Sequence, residues 1–333
     1  MTSMRAARRL LMAASGTRAA YTALTAAQPG GEKTWTRTNH RDEPVTLLEG
    51  PAVTIGAVGA ALTTPGLDPP TRLALGLAGA GAGAFGCYDD LAGSSDQHGF
   101  RGHLAALAKG EVTTGAVKII GIGAVGLMAS YVLDRRDQGT GGSRPQMSAL
   151  GRAADLAVNA GLVAGSANLL NLFDLRPGRA GKVALLSSIA IGLRGQRARA
   201  EVAAPAGAVA AVLPDDLAER AMLGDSGANA IGAMIGVAAA SSLNRPTRVV
   251  VLGAIAALTA ASEKVSFTKV IARRPALNWL DMLGRRPAQP AAPADLTETP
   301  APPPQQGSES KNVRPSGHDA DQTGPAAQPP RRL

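Results

Sequence analysis

Apolar residues along this chain fall into long runs that short polar connectors separate. The runs consist mainly of Ala, Gly, Val, Leu and Ile, and their lengths suit helices of three or more turns. Eight such runs lie at 51–66, 72–88, 116–133, 148–170, 182–193, 202–213, 228–243 and 247–262. The pattern predicts an all-α fold, a polytopic transmembrane helical bundle of about eight to ten spans, because a helix needs about 20 apolar residues to cross a bilayer.

A ninth run, Leu10–Ala27, bears on where the bundle begins. Arg18 lies in its middle, so the run suits a first span, an interfacial helix or the remnant of a longer N-terminus. We favour a first span. The segment lacks the uninterrupted apolar stretch and the small-residue cleavage pattern of a signal peptide. The runs at 182–193 and 202–213 are the shortest candidates for a span.

The last part of the chain has a different composition from the rest. Residues 285–333 hold nearly half of the 23 prolines, together with Gln, Ser, Asp and Gly. Such a segment cannot bury enough apolar surface to fold by itself. We therefore expect a membrane-embedded domain at 1–284 and a disordered, Pro-rich cytoplasmic tail at 285–333, to which we assign no chemistry.

Composition and charge narrow the function classes. Aromatic residues make up 3% of the chain and glycine accounts for 40 residues, which favours close helix packing through small side chains. The formal net charge is +9, but the basic residues lie in the connectors without interleaved aromatic side chains, so we expect no nucleic-acid partner. The single cysteine, Cys87, excludes an intramolecular disulfide framework.

The order of the runs also predicts which connectors share a membrane face. If the first run spans, alternation puts 28–50, 89–115, 171–181, 214–227 and everything after 262 on one side. That side contains every distinctive polar motif and has a modest excess of Lys and Arg. We therefore expect it to face the cytoplasm.

The first of these motifs is a pair of adjacent acids. Asp89 and Asp90 follow directly on the run at 72–88. Two carboxylates in one place repel, so both remain ionised only if water or a cation such as Mg²⁺ lies with them. Taken alone, the pair is equally well explained as a solvated helix end.

The second motif repeats polar residues every third position. Asn168, Asn171 and Asp174 form a stripe on one side of a helix, where amides and a carboxylate can hold a nucleotide or orient a metal ligand. Arg176 and Arg179 follow and suit phosphate binding, although ordinary cations beside a membrane would look the same.

The third motif is Leu223-Gly224-Asp225-Ser226-Gly227, an acid in a glycine-flanked turn before the run at 228–243. A similar sequence surrounds the nucleophile of trypsin-like serine proteases. That class is excluded because the four histidines are scattered and the disulfides of such a fold cannot form from one cysteine.

Two Gly-x-Gly-x-x-Gly patterns, within 81–86 and 121–126, imitate a dinucleotide-binding fingerprint. Both lie inside apolar runs, without the preceding strand that the fingerprint requires. We interpret them as helix-packing positions, together with the small-x-x-x-small pairs Gly79/Gly83 and Gly232/Gly236.

Taken together, the motifs resemble those of the polyprenyl-phosphate N-acetylhexosamine-1-phosphate transferases, glycosyltransferase family 4. This family includes phospho-N-acetylmuramoyl-pentapeptide transferase and its UDP-N-acetylglucosamine-1-phosphate relatives. The resemblance runs from Trp35 to Gly284. It is carried by Arg37-Thr38-Asn39-His40-Arg41, Leu47-Leu48-Glu49-Gly50-Pro51, Asp89-Asp90, Asn168 to Asp174 and Gly224-Asp225-Ser226-Gly227.

The resemblance implies a multi-pass enzyme of the cytoplasmic membrane with its active site facing the cytoplasm. Its partners would be a UDP-activated amino sugar and undecaprenyl or decaprenyl phosphate, its cofactor Mg²⁺ and its by-product UMP. A homodimer is compatible with this arrangement.

Roles for individual residues follow from the same resemblance. Asp89 would act as the base or orient the acceptor, and Asp90 and Asp225 would be the acids near the metal. The nucleotide-sugar contacts would come from Asn168, Asn171 and Asp174, and we add Arg176 and Arg179 as phosphate-binding candidates.

Two departures from the family pattern leave an alternative open. Pro177 stands where the family usually has a second Asp, and the stretch Glu263–Lys269 lacks the usual histidines. A catalytically silent membrane protein of the same fold, which binds the lipid carrier or partner proteins, is the alternative. A transporter has less support, because few ionisable groups other than Arg18 and Asp155 lie within the runs.

Overall fold

A computed structural model describes residues 2–93, 102, 108–110, 112–139 and 148–287 of the chain. The described residues form twelve helices and one two-stranded sheet. In chain order the elements are α1 Thr2–Ala27, α2 Glu32–Trp35, β1 Thr36–Thr38, β2 Pro44–Thr46, α3 Glu49–Thr63, α4 Pro69–Ala92, α5 Thr114–Gly139, α6 Ala149–Phe173, α7 Arg179–Gly192, α8 Gln196–Leu217, α9 Gly224–Ser242, α10 Arg245–Ser262, α11 Phe267–Ala272 and α12 Pro275–Met282.

The long helices coincide with the apolar runs of the sequence. Each of the nine runs lies largely within one of the helices α1 and α3 to α10, so the predicted helical fold is confirmed. Within the described residues, two helical segments, Thr114–Arg136 of α5 and the whole of α6, are long and apolar enough to cross a membrane by length and composition. Helices α3, with 15 residues, and α7, with 14, are shorter than the length that crosses a bilayer.

Polar side chains mark where several helices begin. Asp68 accepts a hydrogen bond from the Thr71 amide ahead of α4, Ser148 accepts one from Gly151 at the start of α6, and Asn244 accepts one from Thr247 at the start of α10. Each side chain satisfies an amide that has no partner within its helix. Local sequence therefore sets these boundaries.

Helix α9 is the centre of the bundle. It packs against α3, α4, α6, α7 and α8, and nearly every one of its residues is buried. A Cβ atom on Gly232 would lie 2.4 Å from the carbonyl oxygen of Ser166, and one on Gly236 would lie 2.6 Å from that of Leu162. The backbones of α9 and α6 thus meet directly, which confirms the packing interpretation of this glycine pair.

The small sheet brings two connectors together at one end of the bundle. Strands β1 and β2 pair antiparallel, with Arg37 opposite Val45. Thr46 then forms a bridge to Ala221, and the amide of Met222 donates to the carbonyl of Thr46. The segment before α3 therefore lies beside the segment before α9.

The chain beyond Pro287 lies outside the described residues, so the predicted disorder of the tail stays a prediction there. The two residues at its predicted start contact the folded part. Arg285 lies 2.9 Å from Asp281, and Arg286 lies 2.5 Å from Glu43.

Candidate functional site

The predicted acids of the first and third motifs meet where α4 ends and α9 begins. The carboxylate of Asp90 accepts hydrogen bonds from the amides of Asp225 at 3.0 Å and Ser226 at 2.9 Å. It therefore caps the positive end of α9. Close approach is required here, because a Cβ on Gly86 would lie 2.2 Å from the carbonyl oxygen of Asp225.

A lysine joins the two remaining acids. The Nζ atom of Lys118, from the first turns of α5, lies 2.5 Å from Oδ2 of Asp89 and also donates to Oδ2 of Asp225. The three side chains are mostly buried, with between 15% and 22% of each exposed. One buried cation thus holds two carboxylates from different helices, which would otherwise repel each other.

The surroundings of these three carboxyl groups shift their pKa values in different directions. Burial and the nearby charge of Asp225 raise the pKa of Asp90 to about 7, despite its bonds to the α9 amides. Burial also raises the pKa of Asp225, against the opposing effect of Lys118. Burial acts in the same direction at Asp89, but hydrogen bonds from Asp225 and Lys118 outweigh it and lower the pKa of Asp89. Asp89 is therefore the group that most readily stays a carboxylate, and its lowered pKa makes it the weakest base of the three.

A second set of acids lies behind this cluster. Asp174 ends α6, Glu49 begins α3 and Asp216 lies near the end of α8, and all three are buried. Within the described residues, Oδ2 of Asp174 and both carboxylate oxygens of Glu49 have no hydrogen-bond partner. Burial and the charge of Asp216 raise the pKa of both groups, and burial raises the pKa of Asp216 to about 7. Unpartnered buried oxygens are costly, so this end of the bundle is not optimised for stability alone.

A polar cavity of about 180 Å³ opens beside Asp174. Its lining combines donors and acceptors from three connectors: Thr38, Asn39, His40, Asp174, Arg176, Asp216 and Glu219. Burial and the charge of Arg176 lower the pKa of His40. The cavity thus offers neutral and charged hydrogen-bonding groups to a polar ligand next to the acids.

The other predicted substrate residues are not all placed at this site. Asn168 donates to Thr259 of α10 at 3.3 Å, so its amide faces a neighbouring helix. Arg179 is 4% exposed, and its guanidinium bonds both oxygens of Asp281 at 2.6 and 3.1 Å. Arg179 therefore fastens α12 to the start of α7, and a role at a substrate phosphate would require this ion pair to open. Asn171 is half-buried one turn before Asp174.

Sequence reasoning missed Lys118 and the buried Glu49. A signal for Lys118 was present, since a lone cation within an apolar run marks a functional position. Glu49 begins an apolar run in the same way, but its burial depends on packing that no local pattern shows.

The metal assignment to Asp90 and Asp225 stays a prediction. In the part of the chain that the structure describes, no group of three or more His, Cys, Asp or Glu side chains is close enough to hold a metal ion. Mg²⁺ is commonly held by only one or two carboxylates together with substrate phosphates. Asp89 and Asp225, which both contact the ammonium of Lys118, fit that mode of binding. Asp90 fits it less well, because backbone amides bond both of its carboxylate oxygens.

No protein-family model matches the chain, and no curated protein matches it in sequence.

Proposed function

We propose that this protein is a membrane-embedded phospho-sugar transferase that moves an amino-sugar-1-phosphate from a UDP-sugar to a polyprenyl phosphate. In this reaction an oxygen of the lipid phosphate bonds to the sugar-linked phosphorus, and the bond from that phosphorus to UMP breaks. The observation that carries the proposal is the bridge of Lys118 between Asp89 and Asp225 at the end of apolar helices.

The buried charges suit a reaction between two phosphate groups. The ammonium of Lys118 can offset negative charge as the two phosphates approach each other. The lowered pKa of Asp89 keeps it ionised and makes it a weak base, so its carboxylate suits orienting the acceptor phosphate better than removing a proton from it. Asp90 acts as a positioning residue, because its bonds to the Asp225 and Ser226 amides hold the start of α9 in place.

Mg²⁺ would be held by Asp225 and Asp89, and it would supply charge stabilisation on the transferred phosphate. The unpartnered oxygen of Asp174 is a further hard donor in the same region.

The polar cavity beside Asp174 is the proposed place for the nucleotide. Arg176 offers a cation for a phosphate, and Asn39 and His40 offer hydrogen bonds to a base or ribose.

The membrane placement rests on apolar surface as well as on the two helices that are long enough to span. Large apolar side chains are exposed on α5 and α7, such as Ile120 at 58%, Leu127 at 54% and Ile189 at 61%. Lipid would cover these side chains, and the remaining long helices would complete a multi-pass bundle with the candidate site towards the cytoplasm.

The test is a transfer assay on membranes that contain the purified protein. With UDP-sugars, Mg²⁺ and polyprenyl phosphate we expect UMP release that requires all three, and mass spectrometry of the lipid product identifies the sugar. Lys118→Met should abolish release, whereas Lys109→Met, at an exposed position in the connector before α5, should leave it intact. Absence of lipid-dependent UMP release by well-folded protein with every common UDP-amino sugar would overturn the proposal.

One alternative has its own support. A silent membrane protein of this architecture would keep its polar groups satisfied internally, as Asp90 and Arg179 are. That alternative predicts no Mg²⁺-dependent binding of UDP-sugar in calorimetry, whereas the transferase predicts binding.

A further inference from the structure

A second polar cavity lies at the opposite end of the same helices. Its volume is about 430 Å³, and it is formed by the end of α5, the start of α6, the end of α9 and the start of α10. From Lys118 to Arg136 along α5 the distance is about 27 Å at 1.5 Å per residue. This is close to the thickness of the apolar part of a bilayer, so the cavity would lie at the other membrane face.

Positive charge dominates the walls of this cavity. Four arginines, Arg136, Arg152, Arg245 and Arg248, stand against two acids, Asp134 and Asp155. Arg245 pairs with Asp155 at 2.8 Å and still has half of its side chain exposed, and Arg152 is exposed. Among the described residues of the lining, arginines outnumber acids, and the exposed Arg152 and half-exposed Arg245 can meet an anion that enters the cavity.

Three of these arginines lie at helix N-termini, where a positive charge is unfavourable for helix stability. Arg152 lies in the first turn of α6, and Arg245 and Arg248 lie in the first turn of α10, while neither turn contains an acid. A helix N-terminus is positive, so cations there cost stability and acids are preferred. A bound anion would reverse that cost at both helices, because amides and guanidinium groups would face it together.

An apolar groove continues from the basic cavity. The groove has a volume of about 340 Å³, runs between α6, α7, α9 and α10, and is lined by residues such as Leu169, Ile235, Val251 and Ile255. Leu243 lines both the groove and the cavity. A strongly basic space that leads into an apolar one has the polarity of a lipid with an anionic headgroup.

We propose that the chain binds one anionic phospholipid here, with its phosphate among Arg152, Arg245 and Arg248 and an acyl chain in the groove. Exposed Leu150 and Val250, beside the first turns of α6 and α10, would contact further lipid. The ligand would not be the substrate lipid in its reacting position, because the cavity lies at the Arg136 end of α5, about 27 Å along the helix from Lys118. The inference uses the membrane placement proposed above but not the transferase activity, and its test measures lipid binding alone.

The test is native mass spectrometry of the full chain, released from nanodiscs that contain equal amounts of phosphatidylglycerol and phosphatidylcholine. We expect one retained phosphatidylglycerol per chain and roughly tenfold less phosphatidylcholine. The double variant Arg152→Gln/Arg245→Gln should lose roughly tenfold or more of that selectivity. Arg135→Gln is the matched control, since Arg135 lies beside Arg136 at the same end but contacts the Tyr131 hydroxyl outside the cavity.

Competition with inorganic phosphate distinguishes a site for a phospholipid from a site for free phosphate. If phosphate in large excess fails to displace the lipid, the apolar groove contributes to binding and the proposal is supported. Complete displacement by phosphate, equal retention of the two lipids by wild type, or equal losses in the double variant and Arg135→Gln would each overturn it. If the double variant does not fold, the selectivity of the wild type decides by itself.

Discussion

The two ends of this bundle each bury a glutamate completely, and they treat it differently. At the end opposite the candidate site, Glu201 accepts hydrogen bonds from Ser241 and Ser242 at 2.6 Å each and from Arg197 at 3.0 Å. At the site end, Glu49 is equally buried, and within the described residues neither of its carboxylate oxygens has a partner. A buried acid with all its bonds made ties helices together, whereas one without them is retained at a cost in stability.

The two ends of the bundle also differ in their charged residues. The opposite end combines the hydrogen-bonded Glu201 with a cavity lining in which arginines outnumber acids, while the site end crowds Glu49, Asp174 and Asp216 behind the Lys118 bridge. Strongly perturbed acids in a cleft are typical of functional sites, although ion-pair networks also produce them. The comparison therefore yields experiments that treat the two ends separately.

The largest effect is expected at the site end from loss of the Asp225 charge. Asp225→Asn keeps the side-chain volume but removes one of the two carboxylates that Lys118 joins. The rate of sugar-phosphate transfer should therefore fall by roughly two to four orders of magnitude. UMP release measures this effect, and circular dichroism checks the fold. Asp42→Asn is the control, because Asp42 is an exposed acid at the same end. Comparable activity in both variants would remove the acids from the mechanism.

Arg179 tests whether the site end also contains purely structural charges. Arg179→Ala removes the bidentate partner of the buried Asp281 and leaves that carboxylate with Arg285 alone among these two arginines. We therefore expect a loss of about 3 kcal/mol or more in the free energy of unfolding. Arg176→Ala, in the cavity lining, should instead weaken UDP-sugar binding by about 1 to 2 kcal/mol with little change in stability. Thermal unfolding and calorimetry on both variants separate the roles; weaker sugar binding by a stable Arg179→Ala protein would restore that arginine to the substrate site.

The two buried glutamates provide the direct test of the comparison. Glu201→Gln turns an amide towards donors that the carboxylate satisfied and should cost about 1 to 3 kcal/mol. Glu49→Gln replaces an acid whose pKa burial has raised and whose oxygens bond nothing among the described residues, so stability should stay level or rise. Thermal unfolding in one detergent measures both. Equal destabilisation by the two changes would mean that the ends do not differ in this respect.

The smallest effect is expected for one added methyl group where α4 meets α9. Gly86→Ala would place its Cβ against the Asp225 carbonyl and should cost about 1 to 3 kcal/mol or shift the start of α9. Gly59→Ala is the matched control in α3, because no atom outside the local helix lies within 4 Å of its added Cβ, and helix propensity should make it neutral or stabilising. Unfolding midpoints compare the pair, and a neutral Gly86→Ala would show that the two helices are not held in close contact.

Much of the fold was predictable because its causes are local. The apolar runs, with Asp68, Ser148 and Asn244 ahead of them, determine where helices form and begin. Alternation along those runs also placed Asp89, Asp174 and Asp225 at one end, where the structure brings their segments together. The number of membrane spans was less accessible, since the small residues of α9 serve burial against other helices as well as they would serve contact with lipid.

The sequence by itself determined the helices and the polar motifs that end them, because helix formation and capping depend on residues a few positions apart. Only the tertiary structure decided which polar groups meet. Lys118 and Asp225 are 107 residues apart, Asp90 and the Asp225 amide 135, and Arg179 and Asp281 102. Such pairs, and the contrast between a satisfied Glu201 and an unpartnered Glu49, arise from how separate helices pack, and no local periodicity encodes that packing.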